Sequence, residues 1–315
     1  MNKVSILFVC LFLFVSSAYA GHIDRFPGPN GYQYEVYSPD HPAARPALIL
    51  MLHGCTQTPA QLLTQTQMAE EAERKGLYLV LPQQPSSANM LSCWNWFEPA
   101  TQTRDISGES EFILTTLEKV IVEKNIDRSK VGILGFSAGA IMTTNLVSCF
   151  PELFRAALIH SGMEFAAAGS MMEAFQVMRT GPLRSVEKSA SMALACAGPN
   201  QSIVPVYIVQ GSADSTVGPV NFGRLQKQFT LVDAKIAASR GGRGEIQKEE
   251  KIISDTQLFT QLTEIRVDGQ SVVKAYFIKG MQHAWSGGSA MTTYSEPRGL
   301  PISQLFVDEF FSSDK

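Results

Sequence analysis

Nine residues near the middle of the chain, GILGFSAGA (132–140), place one serine between two glycines at the end of an apolar run. This G-x-S-x-G spacing is that of a nucleophile elbow, where the chain turns so sharply from strand to helix that the serine is strained. Side chains at Gly135 and Gly139 would collide with the neighbouring strand or helix. The motif predicts that Ser137 is an exposed nucleophile at a helix N-terminus, whose positive end favours developing negative charge. The alternative is a turn serine without chemistry.

The histidines decide between these alternatives, because a catalytic serine on such an elbow is followed in the chain by an acid and then a histidine. The five histidines are His22, His41, His53, His160 and His283. Only the last two follow Ser137. His160 precedes any aspartate in that stretch and ends a buried strand, so we expect it to pack in the core. His283 lies after a strand in GMQHAWSGG, whose glycines allow an exposed loop, and it is the predicted base.

The acid is predicted from its place after a strand, because sites gather at the carboxyl ends of parallel strands. Asp214 lies three residues beyond the apolar strand 204–211. The other aspartates before the histidine follow no such strand and are expected on the surface: Asp233, Asp255 and Asp268. The predicted triad is therefore Ser137, Asp214 and His283. His283 would take the serine proton, and Asp214 would hold the imidazole tautomer.

The oxyanion formed by such an attack needs two backbone donors. One is expected to be the N–H of Ala138, which directly follows the nucleophile. The other should come from HGCT, the loop after the strand that ends at His53. We assign it to Cys55, with Thr56 as the alternative.

The elements that must position these groups alternate between strand and helix. Strands are predicted at 46–53, 77–82, 130–136, 156–162, 204–211 and 272–280. Helices are predicted at 59–75, 108–125 and 137–150, as two short helices within 163–200, from near Pro219, and at 303–311. The segments 83–105 and 239–251 are interpreted as loops. The alternation predicts an α/β fold with a mostly parallel sheet and helices on both faces.

The N-terminal residues 1–20 have the layout of a signal peptide, with one lysine, an apolar run of twelve residues (4–15) and a small-x-small site. A membrane anchor is the alternative, but twelve residues are too few to cross roughly 30 Å of hydrocarbon. Cleavage is expected after Ala20, leaving 21–315 as a single catalytic domain that is secreted or periplasmic. Lys+Arg then falls from 26 to 25 against 29 Asp+Glu, about −4 net, which argues against nucleic-acid or anionic membrane partners.

Four cysteines remain after cleavage: Cys55, Cys93, Cys149 and Cys196. An even number in an exported chain permits two disulfides, and spacing alone leaves all three pairings open. Buried free thiols are the alternative. No C-x-x-C pair is present, which gives little support to a metal or redox site.

Six segments together resemble a known family: MLHGCTQTP (51–59), LSCWNWF (91–97), GFSAGA (135–140), IHSG (159–162), QGSADSTVGPVN (210–221) and QHAWSGG (282–288). From about residue 30 onward the chain resembles the poly(3-hydroxybutyrate) depolymerase-like esterases, which are related to feruloyl and acetylxylan esterases. The resemblance implies an α/β-hydrolase fold, ester hydrolysis and the triad given above. It also implies a disulfide between Cys55 and Cys93, leaving Cys149 and Cys196 as the second pair.

Substrate contacts are expected from the three tryptophans, Trp94, Trp96 and Trp285, because flat aromatic surface suits polyester methylenes, sugars or phenolic rings. Packing beneath the loops is the alternative. Methionines 163, 171, 172 and 178 could line a flexible rim or fill the core.

The expected function is an exported serine ester hydrolase, foremost a poly(3-hydroxybutyrate) or oligoester depolymerase that needs no cofactor or metal. The alternatives are a feruloyl or acetylxylan-type esterase and, from another class, a non-catalytic binding protein on a hydrolase scaffold. No appended surface-binding module is evident in the sequence, so soluble or amorphous esters are as plausible as crystalline polymer.

Overall fold

The computed structural model describes residues 21–253 and 256–312. Its main sheet has ten strands: β1 (His22–Pro27), β2 (Gln33–Ser38), β3 (Leu48–Leu52), β4 (Tyr78–Gln83), β5 (Val131–Phe136), β6 (Ala156–His160), β7 (Val206–Gly211), β8 (Ile246–Ile253), β9 (Thr260–Val267) and β10 (Gln270–Ile278). The order across the sheet is β1-β2-β4-β3-β5-β6-β7-β10-β9-β8. The central six strands pair in parallel, and the two strands at each end pair antiparallel.

Eight helices accompany the sheet in the described ranges: α1 (Pro59–Thr66), α2 (Met68–Lys75), α3 (Gly108–Glu123), α4 (Ala138–Cys149), α5 (Met171–Thr180), α6 (Val186–Ala197), α7 (Val220–Ser239) and α8 (Ile302–Ser312). The apolar residues of α3 to α7 pack on one face of the sheet, and those of α1, α2 and α8 pack on the other. The expected α/β-hydrolase arrangement, with helices on both faces, is confirmed.

The continuous apolar run of β3 follows from this sandwich, because successive side chains of a strand point to opposite faces. Leu48, Leu50 and Leu52 contribute to the core on the α3–α7 side, and Ile49 and Met51 contribute to the core on the other side. All five side chains are fully buried. A strand covered on both faces has no room for polar residues, which explains why this segment was recognisable in the sequence.

Several element boundaries differ from the sequence prediction. The helix expected over 59–75 is two helices, because Gln67 between them has a left-handed backbone with φ of 56°. The charged segment 239–251 was wrongly interpreted as a loop, since β8 begins at Ile246. That edge strand is exposed on both faces and so lacks the alternating pattern of a half-buried strand. Strands β1, β2 and β9 were not predicted.

The predicted signal peptide lies outside the described residues. Among those described, the helices are too short or too polar to cross a membrane.

Candidate active site

Ser137 lies between β5 and α4 and has the strained backbone that the elbow motif predicts, with φ of 56° and ψ of −121°. The positions two residues before and after the serine must be glycine because neither has space for a side chain. A β-carbon at Gly135 would lie 2.3 Å from the carbonyl oxygen of Gly139, and one at Gly139 would lie 2.0 Å from that of Leu52. The Ser137 N–H donates to the carbonyl of His160 at the end of β6, at 3.0 Å. The turn is therefore tied to both strands that flank β5.

The three predicted triad residues lie together at the carboxyl edge of the parallel strands. Nε2 of His283, in the loop after β10, is 3.0 Å from Oγ of Ser137. Nδ1 of the same ring is 2.8 Å from Oδ2 of Asp214, in the loop after β7. Ser137 and Asp214 lie 146 and 69 positions before His283 in the sequence, yet the three side chains form one continuous hydrogen-bonded chain. A hydroxyl on an imidazole that is itself oriented by a carboxylate is the geometry of nucleophilic catalysis.

The carboxylate of Asp214 is buried and accepts hydrogen bonds on both oxygens. Its Oδ1 accepts the backbone N–H groups of Thr216 and Val217, each at 2.9 Å. Its Oδ2 accepts Gln210 Nε2 at 3.1 Å in addition to His283. Burial raises the pKa of Asp214, but the hydrogen bonds and the His283 charge outweigh burial and the pKa is lowered. The group is therefore kept as the ionised form that an imidazole-orienting acid needs.

Two backbone N–H groups border the space in front of Ser137. Ala138 is the first residue of α4, so its N–H has no acceptor within the helix. The N–H of Thr56 donates to the carbonyl of Leu91 at 2.6 Å and is occupied. Within the described part of the chain, the N–H of Cys55 has no protein acceptor. The geometry therefore favours Cys55 over Thr56 as the second donor.

Disulfides join Cys55 to Cys93 and Cys149 to Cys196, which is the pairing implied by the family resemblance. The first bond links the loop after β3 to the loop after β4 beside the serine. The second links the C-terminal end of α4 to that of α6. The first disulfide therefore fixes the loop that carries the candidate oxyanion donor, whereas the second one braces the helices behind the site.

A cavity of about 600 Å³ opens in front of Ser137 and His283. Its lining is largely apolar and includes Met90, Leu91, Trp96, Phe97, Phe136, Met171, Phe175, Met178 and Tyr294. Among the lining residues, the polar side chains other than the serine and histidine are neutral: Thr56, Ser86, Ser87, Asn89 and Thr216. The cavity therefore suits an uncharged, mainly apolar ester. Most of these residues were missed in the sequence, where only the length of the 83–105 loop and the Met-rich 163–200 segment pointed to them.

Two of the three tryptophans assigned to substrate binding do not line this cavity, and those assignments were wrong. Trp94 and Trp285 are fully buried. Trp285 stacks on the ring of His160 with centroids 4.8 Å apart, and its indole N–H donates to Ser303 at 3.1 Å. It therefore packs behind the histidine loop. Trp96 does line the cavity. Of the methionines, 171 and 178 line the cavity, 172 is exposed nearby and 163 is buried in the core.

His160 has the core position expected from its place in β6. Burial lowers its pKa to about 3, so the ring is neutral, and its Nε2 accepts the N–H of Ser286 at 3.1 Å.

Asp233 was wrongly expected on the surface, because α7 turns it into the core. Its Oδ2 has no partner, and burial raises its pKa well above the ordinary value. It lines a cavity of about 20 Å³, the space of one water molecule, together with Ser148 and Gln228, whose Oγ and Nε2 atoms also have no hydrogen-bond partner. Asp268 is exposed as predicted. Asp255 lies outside the described residues.

Among the described residues, the acidic, histidine and cysteine side chains form no cluster of three or more that could hold a metal ion.

Comparison with known proteins is consistent with this geometry. A poly(3-hydroxyalkanoate) depolymerase C from Paucimonas lemoignei is 31% identical over 271 residues, covering 85% of this chain and 62% of that protein. A probable acetylxylan esterase A from Neosartorya fischeri is 29% identical over 213 residues, covering 65% of this chain and 56% of that protein. The chain thus spans less than two-thirds of the length of these relatives.

Among solved structures, an acetyl xylan esterase from Aspergillus awamori superposes with a TM-score of 0.68 at 24% identity. The match covers 84% of this chain and 94% of that one, and it supports the fold. The family described as esterase PHB depolymerase matches residues 32–252, which is more than half of the chain. The protein therefore belongs to the esterase PHB depolymerase family.

Proposed function

We propose that the protein is a serine carboxylic-ester hydrolase. The observation that carries the proposal is the hydrogen-bonded chain from Ser137 Oγ through His283 to Asp214. The serine end of this chain faces an apolar cavity. Ser137 attacks the ester carbonyl while His283 Nε2 takes its proton. The backbone N–H groups of Cys55 and Ala138 hold the negative oxygen of the tetrahedral intermediate.

The reaction then proceeds through an acyl-enzyme. His283 gives its proton to the leaving alcohol as the bond between the carbonyl carbon and the alcohol oxygen breaks. Water next attacks the acyl-serine and the same imidazole takes a proton from it. That proton returns to Ser137 Oγ as the bond between the acyl carbon and Oγ breaks and the carboxylic acid leaves. Asp214 stabilises the imidazolium in both steps.

The cavity supports a proposal for the substrate class. Its apolar lining and neutral polar groups offer burial to methylene and methyl groups and few partners to a hydroxyl-rich sugar. A relative named as a poly(3-hydroxyalkanoate) depolymerase points the same way. We therefore place short oligomers or amorphous chains of 3-hydroxybutyrate first among the substrates.

A carbohydrate esterase is the second candidate. It is favoured by the relative named as a probable acetylxylan esterase. The exposed Tyr294 at the cavity supplies an aromatic face on which a sugar or a phenolic ring could lie.

We also propose that the catalytic unit is a single domain of residues 21–315, exported after removal of a leader. The two disulfides support export, because such bonds persist in oxidising compartments.

The test is release of 3-hydroxybutyrate from an amorphous poly(3-hydroxybutyrate) suspension, with Ser137→Ala as the blank. Release by the wild type alone supports both the nucleophile and the polyester substrate. Cleavage of a short aryl ester without polymer release moves the substrate to acetyl or feruloyl esters. Failure of a fluorophosphonate to label Ser137, together with no cleavage of any ester, would instead favour a non-catalytic binding protein.

A further inference from the structure

The buried carboxylate of Glu109, outside the triad, accepts hydrogen bonds from the loop beside the serine. Glu109 lies in the first turn of α3 and is 5% exposed. Its Oε1 accepts Gln84 Nε2 at 2.5 Å and Asn95 Nδ2 at 2.6 Å, and its Oε2 accepts the Asn95 N–H at 2.8 Å. Three donors, one from the start of the loop after β4 and two from Asn95 near its middle, thus converge on one side chain.

Gln84 connects this carboxylate to the candidate oxyanion loop. Its backbone N–H donates to His53 Nε2 at 3.1 Å, and His53 Nδ1–H donates to the Gly54 carbonyl oxygen at 2.8 Å. Burial lowers the pKa of His53 to about 4, so the ring is neutral and carries its proton on Nδ1. The Gly54 carbonyl and the Cys55 N–H belong to one planar peptide group. A bond that fixes the carbonyl oxygen therefore also fixes the direction of the N–H.

A second connection runs through the disulfide. The same Gln84 Nε2 donates to the carbonyl of Cys93 at 3.1 Å, and Cys93 is bonded to Cys55. Asn95 in turn accepts Asn89 Nδ2 at 2.8 Å, and Asn89 lines the cavity. One carboxylate is thus linked to the oxyanion peptide by two routes and to the cavity wall by a third.

We propose that Glu109 is a positioning residue, whose ionised carboxylate holds the Cys55 peptide and the loop after β4 in the orientation that ester hydrolysis requires. The proposal rests on the hydrolase function proposed above. Protonation would place a hydrogen on a group that faces three donors, so that one donor loses its acceptor. The loop would then relax, and the oxyanion N–H would turn away from the reacting carbonyl.

The carboxylate of Glu109 changes charge near neutral pH. Burial raises the pKa of Glu109 to about 7, although the hydrogen bonds from Asn95 and Gln84 lower it in part. The charged and titratable groups that interact with it are Glu98, which raises its pKa, and the phenol of Tyr32. The ionised form is therefore lost as the pH falls through about 7.

The test compares Glu109→Gln with Glu111→Gln, which alters an exposed glutamate in the same helical turn. Hydrolysis of a short aryl ester by Glu109→Gln should show kcat lowered about 10- to 100-fold with KM changed little, since removal of one oxyanion donor typically costs about 10²–10³. Glu111→Gln should match the wild type. A purely structural role would lower the melting temperature without this split between kcat and KM.

The pH profile gives an independent readout. Protonation of the general base alone gives log(kcat/KM) a limiting slope of one on the acid side. In the wild type the slope should exceed one as the pH falls through about 7, because protonation of Glu109 also lowers the rate, and in Glu109→Gln it should return to one. A wild-type slope of one overturns the proposal even if Glu109→Gln does not fold. So does unchanged kcat in a folded Glu109→Gln. Absence of hydrolysis in the wild type would instead overturn the proposed function.

Discussion

Gly139 lies so close to Leu52 that a β-carbon on the glycine would sit 2.0 Å from the leucine carbonyl oxygen. Strand β3 and the first turn of α4 thus touch through backbone alone. Their contact brings the loop after β3 beside Ser137, because β3 ends at Leu52 and the loop begins at the next residue, His53. The glycine therefore sets the distance between the nucleophile and the candidate oxyanion donor at Cys55.

Gly139→Ala should abolish hydrolysis of a short aryl ester and lower the melting temperature, because the new methyl group meets backbone that cannot move aside. The matched control is Gly223→Ala in α7, where an added β-carbon has nothing within 4 Å. Alanine at an exposed helical position should stabilise by about 1 kcal/mol and leave activity unchanged. Wild-type activity in Gly139→Ala would contradict the packing argument.

Asp214→Asn should lower kcat by about 10⁴, because the amide neither fixes the imidazole tautomer nor stabilises its charged form. The fold should survive, since the shape of the side chain is retained. Asp105→Asn, an exposed aspartate in the loop before α3, is the control and should behave as the wild type. A loss smaller than tenfold for Asp214→Asn in a steady-state assay would show that another group orients His283.

The two disulfides should differ in their effect on activity. Replacing Cys55 and Cys93 together by serine should have its main effect on kcat and a smaller effect on the free energy of unfolding, because it frees the loop that carries the oxyanion donor. Replacing Cys149 and Cys196 together should cost roughly 2–4 kcal/mol of unfolding free energy and leave kcat near the wild-type value. Chemical denaturation and initial rates on the same samples separate the two effects. Equal kcat in both double variants would refute the distinction.

The cavity should select for apolar acyl chains. Phe175 lines it and is 57% exposed, so Phe175→Ala removes contact area without opening the core. The kcat/KM for longer-chain aryl esters should fall about fourfold for each methylene that loses its burial, at about 0.8 kcal/mol each, whereas acetate esters should be little affected. Leu183→Ala, exposed and outside the cavity lining, is the control. Equal losses for acetate and hexanoate esters would place the acyl chain elsewhere.

Asp233 should make stability depend on pH. Its pKa is raised in the folded state, so the folded protein holds this proton more tightly than the unfolded chain does. The stability associated with the group is present below the pKa of the unfolded chain and is lost as the pH rises. Asp233→Asn should therefore raise the melting temperature more at pH 8 than at pH 4, with Asp105→Asn as the exposed comparison. The opposite pH trend would mean that the carboxylate is ionised in the folded state.

The parts of the site that could be predicted were those fixed by local geometry and chain order. The elbow around Ser137 is recognisable in the sequence because only glycine fits at positions 135 and 139. Asp214 and His283 follow from the rule that sites lie after parallel strands. Each of these inferences needs only the type of a residue and its place after a strand.

The parts that failed depend on which way a side chain turns. Trp285 is two residues from His283, yet it packs behind the loop on His160 rather than in front of it. Asp233 lies on the buried side of α7, where a charged residue type is unexpected. The network of Glu109 joins residues from three separate segments, so no spacing in the sequence marks it. Such contacts are decided by tertiary packing.

Strand β8 ends the sheet and carries Lys248, Glu249, Glu250 and Lys251 in succession, all exposed. An unpaired strand edge is a template on which other chains can add, and closely spaced charges discourage that addition. These charges, which kept the strand from being recognised in the sequence, thus protect the β8 edge of the ten-stranded sheet from pairing with a second copy of the chain.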